Sequence, residues 1–170
     1  KKLFSSRLFL LAIILMLCAG ASELSMSQWS SLFAEKGLHV SKVVGDLLGP
    51  CLFAIFMGTG RLLYAWLGDR LPLKKALIGS ALLCVICYLI TVFAPLPLLS
   101  LFGCAFCGFS VALMWPGVFS LSAQSYPTGG TAMFGILALA GDLGCSVGPW
   151  LAGLFSDLVQ KSDSLLSFGA

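Results

Sequence analysis

The residues best suited to chemistry in this sequence are two acids and a guanidinium set inside apolar runs: Glu23, Arg61 and Asp142. A charge at the centre of a bilayer costs about 2.5–3.5 kcal/mol on insertion scales, so such groups face protein or a water-filled cavity and mark solute or ion handling. Glu23 stands in Ala21-Ser-Glu-Leu-Ser-Met-Ser-Gln-Trp29, with the Ser27 hydroxyl one helical turn on and an amide and an indole at Gln28 and Trp29. That set suits a hydroxylated ligand and a carboxyl group whose protonation is easily shifted. The same carboxyl, neutral and hydrogen-bonded, also serves to fix a helix bend, and both uses are open at this level. Arg61 precedes Arg70 by nine residues, which places it about 13 Å inside the membrane at 1.5 Å per residue. It needs an acid, a carbonyl or an anionic solute. Asp142 is the acid expected at similar depth, as a static partner or as one that separates during a conformational cycle.

These side chains must be held by elements that live in lipid. Of the 170 residues, 59% are hydrophobic and 10% charged, and the mean hydropathy is +1.02. A chain of that composition has too little polar surface to cover a water-soluble globule. Apolar runs predict spans over 8–33, 43–67, 76–93, 98–123 and 131–155. The loops between them are short, and a spanning helix that satisfies its own backbone must hand the chain to an antiparallel neighbour. Lys1, Lys2, Arg7, Arg70, Lys74 and Lys75 then share one side of the membrane. By the positive-inside bias that side is cytoplasmic, so residues 1–7 and 68–75 are expected in the cytoplasm of a bacterial inner (plasma) membrane protein. The net charge of +3 is a topology signal and implies no nucleic-acid partner. The sequence opens without Met and has an odd number of spans, so a piece of a longer transmembrane unit is expected.

Other motifs have structural uses beside chemical ones. Glycines recur at Gly58 and Gly60, at Gly103 and Gly108, and at Gly141, Gly144, Gly148 and Gly153. Close helix packing is their main expected use, with bending near Pro149 as a second. Trp115-Pro116 interrupts the fourth span, either as a packing kink or as the broken helix of a binding site. Cys84-x-x-Cys87 and Cys104-x-x-Cys107 have a zinc-ribbon spacing. A tetrathiolate metal centre would place net negative charge in lipid with nothing nearby to offset it, so no metal and no disulfide are expected, and the thiols read as small apolar residues. His39 falls in a loop. There is no phosphate-binding GxxxxGK[ST] segment and no nucleophile beside a base, so neither ATP use nor an enzyme is expected.

The loop after the second span reads Ala65-Trp-Leu-Gly-Asp69-Arg70-Leu-Pro-Leu-Lys74-Lys75. It resembles the cytoplasmic signature of the major facilitator superfamily, Gly-x-x-x-Asp-Arg-x-Gly-Arg-Lys/Arg-Lys/Arg. Asp69, Arg70 and both lysines are in register, while Ala65, Pro72 and Leu73 depart from the pattern, as they do in the second half of such proteins. Glu23 followed by Trp29, and Gly108-Phe-Ser-Val-Ala-Leu-Met-Trp-Pro116 through Tyr126-Pro127, resemble the seventh and tenth helices of the fucose:proton symporter-like branch. The resemblance implies an all-α polytopic transmembrane bundle, with residues 1–170 supplying five spans of the second six-helix half and lacking the first half and the last helix. It further implies alternating access without a cofactor, driven by an ion gradient, with a small polar solute such as a sugar as substrate. The implied partners are that solute, a coupling ion, the lipid bilayer and the remaining helices of the transporter. Glu23, Gln28, Trp29, Trp115 and Asp142 are then the cavity candidates, Arg61 a buried charge partner, and Asp69, Arg70, Lys74 and Lys75 the cytoplasmic gate. For the two lysines simple positive-inside anchoring fits equally well. A drug or metabolite antiporter of the same superfamily is the alternative, on the strength of Gly144-x-x-x-Gly148-Pro149-x-x-x-Gly153. A non-transporting membrane module is the other.

Overall fold

The computed structural model describes residues 6–37, 39, 41–67 and 72–167, with side chains as far as Lys161. All regular structure among them is helical. Five helices are long and apolar enough to cross a membrane: α1 (Arg7–Gly37), α2 (Lys42–Leu67), α3 (Leu73–Phe93), α4 (Pro97–Ser125) and α5 (Gly130–Ser167). Their outer surfaces carry Leu62, Trp66, Phe93 and Trp150 exposed, the arrangement that hydrocarbon favours and water would not.

Local chemistry sets the helix ends. Ser41 caps α2 by accepting the Val44 N–H at 3.5 Å. Pro97 occupies the first turn of α4, where its missing N–H costs nothing. Gly130, at φ 62°, makes the left-handed entry to α5 that a side chain would resist. The helix α5 runs on to Ser167, well past the expected end at residue 155. Polarity alone does not stop a helix, and from Ser156 to Ser167 there is neither Gly nor Pro to do so.

Proline acts differently in three helices. In α2, Pro50 sits in a π-helical turn over Leu47–Cys51, where the widened backbone absorbs both its missing donor and its ring. In α4, the N–H that Ala112 would accept is lost at Pro116, and the helix divides into Pro97–Val111 and Met114–Ser125 around a turn at Ala112 and Leu113. In α5, Pro149 is carried inside a continuous helix.

Contacts between helices fix their directions. Thr91 with Cys104, Cys84 with Cys107 and Leu77 with Gly117 run in opposite order along α3 and α4, so that pair is antiparallel. Leu17 with Gly144, Ala21 with Gly148 and Trp29 with Gly153 run in the same order, so α1 and α5 are parallel. The helix α4 is central: 56% of its most apolar stretch is buried, against 17–28% in the other spans. Around it, α1 and α5 form the most extensive pairing, and α2 and α3 flank the first half of α4.

The α1–α5 pairing depends on missing side chains. A Cβ at Gly144 would overlap the Leu17 carbonyl oxygen, one at Gly20 the Gly141 carbonyl oxygen, and one at Gly148 would lie 2.7 Å from Ala21 Cα. The backbones therefore touch, which in lipid is the main source of helix affinity. Gly144 and Gly148 thus serve packing, the first of the two uses expected, as does Gly60 against Ala112, whereas Gly58 faces open space and packs against nothing within 4 Å. Two clusters fill the interior. One joins Phe9, Ala12 and Met16 of α1 to Val118 of α4 and Met133, Leu137 and Ala140 of α5. The other joins Met26 and Phe53 to Cys84, Cys87, Cys104, Cys107 and Val111. The thiols are thus packing residues between α3 and α4, with Cys84 and Cys107 Sγ atoms 3.9 Å apart.

Candidate functional site

Glu23 lies midway along α1 on the side facing α2, and there the structure departs from the expected pairing. The nearest acid to Arg61 is Glu23, not Asp142: Arg61 Nη2 lies 3.9 Å from Glu23 Oε1. The reason is geometric. The antiparallel α1–α2 contact begins with Gly45 against Ala34 and Gly49 against Ser30; Arg61 follows Gly49 by a little over three turns, and its long side chain, leaning back toward the start of α2, meets Glu23 about two turns before Ser30. Asp142 is on α5, on the far side of α1, is exposed, and no ion pair or side-chain hydrogen bond reaches its carboxylate among the described residues. Cys145, one turn further on α5, lies within electrostatic reach of both Glu23 and Asp142.

The Glu23–Arg61 pair is loose. At 3.9 Å the two groups attract but do not form a hydrogen bond. The Glu23 side chain is 18% exposed and its Oε2 is buried with no hydrogen-bond partner, whereas the Arg61 side chain is 49% exposed. Arg61 lines a recess of about 370 Å³ together with Tyr64, Trp115, Pro116 and Phe119. Trp115, just past the break in α4, lines this recess, and the outer edge of its ring packs on Gly141, where a Cβ would come within 2.5–3.0 Å of three ring carbons. Trp115 Nε1 is buried and unpartnered. Phe119 meets Trp115 at 6.4 Å and Phe134 at 5.8 Å between ring centres, which continues the aromatic wall onto α5.

A second recess, of about 450 Å³, is lined by Gln28, Trp29, Leu32, Ser146, Pro149 and Trp150. Trp29 is fixed there, because its Nε1–H donates to the Pro149 carbonyl at 3.1 Å. Gln28 is exposed at the edge. Of the sequence-derived candidates, the structure thus groups Glu23, Arg61 and Trp115 at one level and Gln28 with Trp29 at another. Lys74 and Lys75 are exposed in the first turn of α3. Asp69 and Arg70 lie outside the described residues.

Tyr64 and Phe119 were not foreseen as site residues, yet their spacing carried the signal. Tyr64 is three residues from Arg61 and Phe119 four from Trp115, so each shares its partner's helix face. Tyr88, which donates to the Ser22 carbonyl at 2.7 Å, ties α3 to the turn of α1 that bears Glu23. No sequence spacing pointed to it.

A bundle of helices long and apolar enough to cross a membrane, with a guanidinium lining a recess inside it, has the build of an integral, multi-pass membrane protein. The profile of the Major Facilitator Superfamily matches residues 1–158, and the chain belongs to that superfamily. It is therefore a membrane transporter by family, and members of the family are transporters rather than enzymes. Searches among curated proteins and among solved structures gave no match.

Proposed function

We propose that these helices are the seventh to eleventh of a proton-coupled symporter that moves a small polar solute by alternating access. One observation carries the reading: Glu23 holds a buried, unpartnered carboxylate oxygen beside a half-exposed Arg61 on an aromatic-walled recess. A carboxyl group so placed is readily protonated and deprotonated as its surroundings alternate between wet and dry. The fucose:proton symporter-like resemblance of the Glu23–Trp29 and Gly108–Pro116 segments supports a sugar as the solute class. The weakened Asp69–Lys75 loop supports placing the helices in a second half, with that loop as a cytoplasmic gate and the first half supplying the opposite wall of the cavity.

The test is uptake by the full-length transporter in proteoliposomes with an imposed proton gradient, with and without an uncoupler. Accumulation that collapses with the uncoupler supports the symporter, and solute extrusion supports the antiporter instead. In the symporter, Glu23→Gln abolishes accumulation against a gradient while leaving insertion and solute binding intact. Normal accumulation by the variant removes Glu23 from the coupling step.

A further inference from the structure

We propose that the group recognised at Arg61 is a carboxylate, so that the solute is an acid with a compact ring, such as a uronic acid, carried with one proton in an electroneutral step. The inference rests on the symporter reading and adds the substrate's charge to it.

The argument starts from the donors. A guanidinium presents five N–H groups in a rigid fork, and that fork matches a carboxylate with two parallel hydrogen bonds. In the structure Arg61 makes a single contact with an acid, at 3.9 Å, beyond hydrogen-bonding range. About half of its side chain is open, and it opens onto the recess walled by Tyr64, Trp115 and Phe119. A neutral solute would leave the cation without a firm counter-charge in a low-dielectric setting. A carboxylate would satisfy the fork, while the flat aromatic faces accept the apolar C–H face of a small ring.

Charge balance then prescribes the proton. With Glu23 as carboxylate and Arg61 as cation, the pair by itself is neutral. An arriving carboxylate takes the Arg61 fork and leaves Glu23 as a second anion, with Oε2 already buried and unpartnered. Among the described residues, the other titratable groups around Glu23 are Cys145 on α5, which is also within reach of Asp142, and Tyr88 on α3, bonded to the Ser22 carbonyl; none supplies a positive charge. Glu23 therefore takes up one proton as the anion binds, and the loaded site is again neutral: a carboxylic acid, a guanidinium and a carboxylate. On release to the other side, the solute departs as an anion, the proton leaves Glu23, and the Glu23–Arg61 pair forms again.

The experiment uses the full-length transporter in proteoliposomes and, as probes, labelled glucuronate, galacturonate and gluconate beside neutral glucose and fucose. For one-to-one electroneutral symport, a gradient of one pH unit drives about tenfold accumulation of the acid, and a potential set with potassium and valinomycin changes it little. Arg61→Lys keeps the charge but loses the fork, and is expected to raise the KM for the acid at least tenfold. Quenching of tryptophan fluorescence by the acids, weakened to the same degree in Arg61→Lys, reports binding where transport is lost. Proton-driven accumulation of a neutral sugar, with none of the acids bound or competing, overturns the proposal and leaves the symporter reading standing. Arg61-dependent binding of an acid without proton-driven accumulation overturns the symporter reading and the coupled proton, keeping only the carboxylate site. Absence of both overturns the two together.

Discussion

Placing one methyl group at Gly144 or Gly148 should separate α1 from α5, and the same methyl at Gly58 should do nothing of the kind. At Gly148 the new Cβ would sit 2.7 Å from Ala21 Cα and 2.8 Å from the Ala21 carbonyl oxygen. Carbon atoms rest at about 3.5–4.0 Å, and a gap of 0.5–1 Å already forfeits a quarter to a half of each contact along the seam. Neither neighbour is a flexible side chain, so the helices themselves must part by about 1 Å. Overpacking of this kind costs about 1–3 kcal/mol. Gly144→Ala meets the Leu17 carbonyl more closely and belongs at the upper end of that range or above it. At Gly58 nothing lies within 4 Å. There the change to Ala removes backbone freedom from a helix interior and should stabilise by about 0.5–1 kcal/mol. Reversible unfolding of the full-length protein in mixed micelles measures the contrast: a loss of about 2 kcal/mol lowers the folding equilibrium constant about 30-fold. Equal stabilities for the Gly144→Ala, Gly148→Ala and Gly58→Ala proteins would refute the claim that α1 and α5 touch through their backbones.

Two further outcomes follow from the structure. Glu23→Gln and Arg61→Gln each leave one charge without its partner, which should lower the stability of the inserted protein by about 1–3 kcal/mol without blocking insertion. The double variant should recover much of that loss, whereas pairing Arg61→Gln with Asp142→Asn should recover none; expression and unfolding in a double-mutant cycle decide between the two acids. Pro116→Ala returns the backbone donor that Ala112 lacks, so it should straighten α4 and raise thermal stability while slowing uptake. An uptake rate unchanged beside a raised unfolding temperature would show that the break is a packing kink alone.

Much of the architecture was legible because lipid imposes a blunt rule: a spanning segment must be apolar and helical throughout. The charges, prolines and glycines that bound those runs located the helices to within a few residues, except at α5, whose polar continuation contains no residue that ends a helix. Of the site, the residue types were legible and the pairing was not. Glu23, Arg61 and Asp142 all stood out as expensive, but which acid faces Arg61 depends on the rotation of α1 and α2 about their axes. Gly45 and Gly49 set that rotation by admitting Ala34 and Ser30. Such contacts are long-range and carry no mark in a single sequence. The same holds for the indole of Trp29, whose bond to Pro149 spans two distant helices.

The turn at Ala112 and Leu113 falls on the boundary between the two interior clusters. Above it, Cys104, Cys107 and Val111 are anchored among α2 and α3; below it, Val118 is anchored between α1 and α5. Each half of α4 thus faces a different interior cluster, and the turn between them is where the Ala112 carbonyl lacks its helical donor. The break therefore lets one spanning helix serve two interiors of different make, one rich in thiols and the other in methionine and aliphatic side chains.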